Sequence, residues 1–194
     1  MSGVKMSPAK TWAIANQEYL MSAIARVRSY LQLHIQRLNP EAEFDTTALF
    51  SLPEQAIPWD LETPSSLDEL SQRFGLSSFE RDILVLCAGM ELDGTWGTLC
   101  ATAQGEAQAQ YPTFNLALEV LPSPNWMALT PVGALRRWRL LDIGVGNALT
   151  QSPLRIDERV LHYLVGIEHP EERLSAIITR IPIQVGEMDR LCGS

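Results

Sequence analysis

Arg136, Arg137 and Arg139 surround Trp138 in the run RRWR, the one place in the chain where cationic side chains are concentrated. Guanidinium groups interleaved with an indole suit contact with a nucleic-acid backbone or with an acidic protein surface. Read as a β-strand, the run turns Arg137 and Arg139 to one face and Trp138 to the other, so the tryptophan anchors while the arginines project. Arg136, Arg137, Trp138 and Arg139 are therefore the candidate partner-binding residues. The competing account is pairing with the chain's own carboxylates. With 23 acidic against 15 basic residues the formal net charge is −8, which repels a phosphate backbone over most of the surface.

Other chemistries find little support. The phosphate-cradling pattern G-x-x-x-x-G-K-[ST] is absent, and Gly144-Val145-Gly146 lacks the third glycine of a dinucleotide fingerprint. No G-x-S-x-G, H-E-x-x-H or C-x-x-C occurs. Cys87, Cys100 and His162 have no recognised ligand spacing, and Cys87 lies in an apolar run, so packing is the expected use of these residues. Glu91 and Asp93 are neighbours in sequence only. Residues two apart on a helix face about 200° from each other, which favours a solvated helix end with a turn at Asp93-Gly94. His34 is expected to be a packed or half-exposed histidine. The sequence assigns no catalytic, cofactor-binding or metal-binding residue.

The elements that must position the RRWR run are mostly helical. From about Ala9 to Leu38 no Pro or Gly interrupts the chain, and Leu20, Ile24, Val27, Leu31, Ile35 and Leu38 fall at steps of three and four, one face of a long helix that Asn39-Pro40 ends. That stripe suits packing inside the molecule or a helix-pairing seam between molecules. Residues 40–65 carry four prolines and several large apolar residues, as expected of an extended connector lying on the following domain. Two capping boxes follow, Ser66 with Glu69 and Ser77 with Glu80, separated by Gly75 as a helix stop. The result is a helix-turn-helix. Its second helix is apolar nearly all round from Phe79 to Leu92, leaving only Glu80, Arg81 and Asp82 as exposed candidates. A helix of that kind belongs in a core rather than in a DNA groove.

Further short helices are expected at TWGTLCATAQGEA, TFNLALEVL, from about Asn125 with an interruption or reshaping near Pro131, and at ERVLHYLVG behind the cap Asp157. LRRWRLLDIG and NALTQSPLRID read as two strands around a turn at Gly144-Val145-Gly146-Asn147, where Gly and Asn would supply positive φ. Pro170 opens a last helix before a C-terminal tail. The fold expected is mainly α: a long N-terminal helix (1–39), a connector (40–65), a winged-helix-like domain with a small β-hairpin wing (66–168), and a C-terminal helix and tail (169–194). No run approaches the roughly 20 apolar residues of a membrane span, the N-terminus lacks a signal-peptide pattern, and three scattered cysteines suit a reducing compartment. A cytoplasmic location with no membrane partner is expected.

Taken in order, LSQRFGLSSFERDILVLCAGMELD, YPTFNLAL, NWMALTPVGALRRWRLLDI and LTQSPLRIDERVLHYLVGI resemble the winged-helix region that precedes the ATPase module in a group of bacterial AAA+ proteins often encoded beside phage-tail-like contractile injection systems. The resemblance covers roughly residues 60 to 175. It implies a non-catalytic domain that positions a motor or engages its target, with ATP and Mg²⁺ belonging to a nucleotide-binding core that this sequence stops short of. None of the family's ATP-contacting residues has a counterpart here. The expected partner is a protein or the ATPase module, with a homo-oligomer as a further option. A nucleic-acid-binding winged helix is the alternative.

Overall fold

The computed structural model describes residues 8–40, 63–146 and 148–167. Among the described residues the chain forms seven α-helices and one two-stranded antiparallel hairpin. Helix α1 runs over Pro8–Leu38, with proline at the first helical position, where its missing N–H costs nothing. Leu20, Ile24, Val27, Leu31 and Ile35 are buried, as are Tyr19 and Ala23 beside them. The stripe packs inside the molecule, against α3 (Ser78–Leu92), α4 (Trp96–Gln104) and α5 (Phe114–Val120). Leu38, expected to complete the stripe, is exposed beyond the end of the core.

Helix α2 spans Ser66–Phe74 and is stopped by Gly75, whose φ of 64° is open to a residue without Cβ. Its cap is one residue earlier than expected. Ser65 accepts from the Asp68 N–H, so the pair is Ser65 with Asp68 and not Ser66 with Glu69. The reason is tertiary: the Ser66 N–H donates to Asn16 Oδ1 on α1 at 2.8 Å. Asn16 Nδ2 in turn donates to the Leu164 carbonyl at 2.9 Å. One buried amide thus satisfies a donor at one helix start and an acceptor at another helix end, groups that a helix cannot satisfy itself.

The capping box expected at α3 is present: the Glu80 N–H donates to Ser77 Oγ, and the Ser77 N–H donates to Glu80 Oε2. From Phe79 to Gly89 the only residue of α3 that is not buried is Arg81. The expectation that Glu80 and Asp82 are exposed is corrected here. Glu80 is held by its box and by the Ala134 N–H, which donates to Oε1 at 2.9 Å, while Asp82 accepts from Arg26 of α1 at 2.6 Å. Arg81 reaches both Asp68 and the Tyr19 hydroxyl, each at 3.2 Å. Charges at the start of α3 are therefore used to dock α1 and α2.

A 3₁₀ turn at Trp126–Leu129 leads into the single-turn helix α6, Ala134–Arg137. Strands β1 (Leu141–Ile143) and β2 (Leu154–Ile156) pair in the register Leu141↔Ile156, Asp142↔Arg155, Ile143↔Leu154. Leu141, Leu154 and Ile156 point into the core, and Asp142 and Arg155 face outward. The hairpin is real, but its strands are shorter than expected and residues 144–153 connect them, with a 3₁₀ turn at Leu149–Gln151. Neither Gly144 nor Gly146 takes a positive φ. Gly146 is needed for close approach instead: a Cβ there would lie 2.7 Å from Ser152 Oγ. Asn147 falls outside the described residues, as do most of the connector, the helix expected from Pro170 and Cys192. Helix α7, Glu158–Leu164, is capped by Asp157 as expected and packs on α2.

Candidate partner-binding cleft beside the hairpin

The RRWR run is not a strand. Arg136 and Arg137 close α6, Trp138 follows it, and Arg139 turns the chain into β1. Gly133, just before α6, lies so near the Met127 carbonyl oxygen that a Cβ would approach it to 2.5 Å, and this tight entry aims the first N–H of α6 at Glu80. The exit is a left-handed stop: the Arg139 N–H donates to the Arg136 carbonyl and the Leu140 N–H to the Leu135 carbonyl, a hydrogen-bond pattern that usually ends in glycine. Here the left-handed residue is Arg139, at φ 52°.

That geometry separates the four candidate residues. Arg136 folds back, and its Nη1 donates to the Leu129 carbonyl, so its charge serves the 3₁₀ turn. The Arg137 guanidinium lies 5.1 Å from the centre of the Trp138 ring, within cation–π range. Trp138 leans on Phe74 at the end of α2, ring centres 5.5 Å apart and tilted by 52°. Arg139 extends beside them. Arg137 and Arg139 do not share one strand face as expected; they flank an indole that is 37 % exposed.

Trp138 and Arg139 line a shallow, open cleft between α2 and α7. Leu70, Phe74, Leu140 and Val160 supply its apolar floor, and Arg73, Arg159, Asp157 and Tyr163 its polar edge. Arg159 makes two contacts to Asp157, Nε to Oδ1 at 3.0 Å and Nη2 to Oδ2 at 2.9 Å, and these hold the Asp157 carboxyl below the ordinary carboxylate value. Arg73 pairs with Glu69 at 2.9 Å. The Tyr163 hydroxyl donates to Glu69 at 2.8 Å; burial, then that hydrogen bond, pushes its pKa up. Among the described residues no carboxylate lies within ion-pair distance of Arg137 or Arg139.

Of the residues singled out from the sequence, Trp138 and Arg139 line this cleft and Arg136 and Arg137 do not; Phe74, Val160, Arg73 and Arg159, which arrive from α2 and α7, were missed. The available signal was negative: a tryptophan at a chain turn needs an apolar neighbour, and the run itself offers none. The other candidates behave as packing or surface groups. Glu91 and Asp93 diverge, Glu91 to Arg155 at 3.0 Å and Asp93 to Thr95 and Arg28. Asp93 takes the turn expected of it, and hydrogen bonds from Thr95 hold its carboxyl below the ordinary value. Cys87 and Cys100 are buried thiols; burial raises both, Cys100 to about 12, which keeps them protonated and poor as nucleophiles or ligands. His34 is largely buried, its Nε2 3.8 Å from Glu119. Among the described residues no three of His, Cys, Asp and Glu come close enough to share a metal ion, and no helix is long and apolar enough to cross a membrane.

A protein-family model described as "Winged helix domain, variant" matches residues 60–178, the span that contains α2 to α7, the hairpin and the cleft. No curated protein and no solved structure matches the chain.

Proposed function

Because the chain belongs to the variant winged helix domain family, we propose that it acts as a non-catalytic interaction or assembly domain, positioning an AAA+ ATPase motor or engaging that motor's protein partner. One observation carries the preference for protein over nucleic acid. Helix α3, the long second helix of the helix-turn-helix, has Ile83, Leu84, Val85, Leu86 and Ala88 at 0 % exposure, so it has no face to lay along a duplex. The surplus of acid works in the same direction.

The link to a motor rests on the ordered resemblance of residues 60 to 175 to regions that precede ATPase modules. ATP and Mg²⁺ would be held by such a module and not by this sequence, which contains no phosphate loop. A cytoplasmic, bacterial setting beside a contractile injection system belongs to the same proposal.

The alternative, a nucleic-acid-binding winged helix, draws on a specific feature: Arg137 and Arg139 are exposed directly ahead of the hairpin. Against it, α6 is a single turn of four residues, about 6 Å long, and Arg136 is already committed to Leu129. Titrating a labelled DNA duplex at low salt decides between them. A flat anisotropy trace is expected. Salt-sensitive binding that weakens when Arg136, Arg137 and Arg139 become Ala would transfer the function to nucleic acid.

A further inference from the structure

We infer that the cleft between α2 and α7 takes an acidic linear segment of a partner protein, seated by an apolar side chain on Trp138 and Phe74 and held by Arg139. The inference rests on the interaction-domain reading and adds the place and chemistry of contact. Its first support is shape with composition. A shallow, open surface concavity floored by Leu70, Phe74, Leu140 and Val160 and walled by Trp138 offers a large apolar anchor the burial that an exposed indole lacks, and a shallow cleft between two short helices suits a side chain or two of an extended segment rather than a folded face.

The second support is charge. The protein as a whole carries −8, yet the cleft is lined by Arg73, Arg139 and Arg159 against the single carboxylate of Asp157. Glu69 and Asp157 occupy Arg73 and Arg159, whereas Arg139 has no carboxylate within ion-pair distance among the described residues. A local cationic edge on an acidic molecule selects acidic partners by attraction at the cleft and repulsion elsewhere.

A third observation is independent of both. Helices α2, α4 and α7 are each followed by a left-handed glycine: Gly75, Gly105 and Gly166. After α6 the same position holds Arg139, where a Cβ crowds the neighbouring carbonyl and glycine would be the more stable choice. A guanidinium kept at a sterically unfavourable position, on the edge of an apolar cleft, is accounted for by a contact that folding does not need.

The test uses the full chain and a fluorescein-labelled peptide in which Glu and Asp residues flank a central Phe-Leu pair. Binding followed by anisotropy is expected, and it should be lost when Ala replaces Phe-Leu or Lys replaces the acids. Trp138→Ala and Arg139→Gly should each weaken binding roughly tenfold. Arg139→Gly should at the same time raise the melting temperature by about 2 °C, which separates a binding role from a folding role. A flat titration, unchanged binding in both variants, or a lowered melting temperature in Arg139→Gly would overturn the cleft assignment and leave the interaction-domain reading standing. Duplex DNA binding that Arg139→Gly abolishes would overturn both.

Discussion

At Asp82 burial and pairing pull in opposite directions. Its side chain is 6 % exposed and 2.6 Å from Arg26. Burial raises its carboxyl above the ordinary value of 3.8, and the charges of Arg26 and then Arg81 pull it back. Arg26→Met removes the stronger of the two restoring charges and leaves a buried carboxylate facing Arg81 at 3.9 Å. A loss of about 2–3 kcal/mol at neutral pH is expected. The sign of its pH dependence follows from linkage. An acid whose folded pKa lies above its unfolded one binds its proton more tightly when folded, so its favourable contribution is complete below the unfolded value and is lost as pH rises through the folded one. Arg26→Met raises the folded value further. Urea denaturation of parent and variant should show a gap that narrows as pH falls from neutral toward the ordinary carboxylate value. Asp93 and Asp157 are shifted the other way, so their contributions are lost as pH falls, equally in both proteins, and cancel in the difference. A gap constant with pH would mean that Arg26 acts through the packing of its stem alone.

Between elements, α3 packs closely on α4 where Gly89 faces Trp96. Helix propensity alone favours Gly89→Ala by about 1 kcal/mol. The contact reverses the sign: a Cβ at Gly89 would stand 2.6 Å from the Trp96 ring, and Trp96 is fully buried with no room to retreat. The substitution is expected to cost about 1–3 kcal/mol, read as a lower midpoint in thermal unfolding; a raised midpoint would refute the packing. What was legible at this scale was whatever local chemistry decides. The Ser77–Glu80 box, the stop at Gly75 and the cap at Asp157 are each set by residues within one helix turn, and all three stand in the structure. The first box slipped because Ser65 and Ser66 each stand three residues before an acid, Asp68 and Glu69, and only the distant Asn16 breaks the tie. The stretch around RRWR misled because Trp138 and Leu140 alternate with Arg137 and Arg139 in the manner of a strand, and because the residue that stops α6 is an arginine where a glycine would have announced a helix stop. Arg136, Arg137, Trp138 and Arg139 were singled out as a group, but Arg136 is captured by the Leu129 carbonyl of the preceding 3₁₀ turn, which the strand reading hid, and the cleft itself depends on α2 and α7, remote in sequence.

Across the whole molecule, α1 decides whether the chain is a domain with an appendage or one body. Its buried stripe joins the same core as α3, α4 and α5, and Asn16, Tyr19 and Arg26 fix it to α2, α3 and the end of α7. The exposed apolar residues on its outer side, Ile14, Met21, Leu33 and Leu38, do not form a second stripe: on a helical projection Leu33 and Leu38 fall about 100–120° to either side of Met21. A pairing seam between copies therefore finds no continuous line there. Removing residues 1–38, which would probe oligomerisation if α1 stood apart, should instead undo the fold. Leu20, Ile24, Val27, Leu31 and Ile35 are each buried, at about 1.5–3 kcal/mol apiece, and together they rival the whole margin of roughly 5–15 kcal/mol that holds a domain folded. Their loss would also bare the faces of α3 and α4 and strip Asp82 of Arg26. The truncated chain is expected to lose its cooperative thermal transition and to aggregate. A sharp transition near the parent's midpoint would show that residues 66–167 fold alone and that α1 is free for a partner.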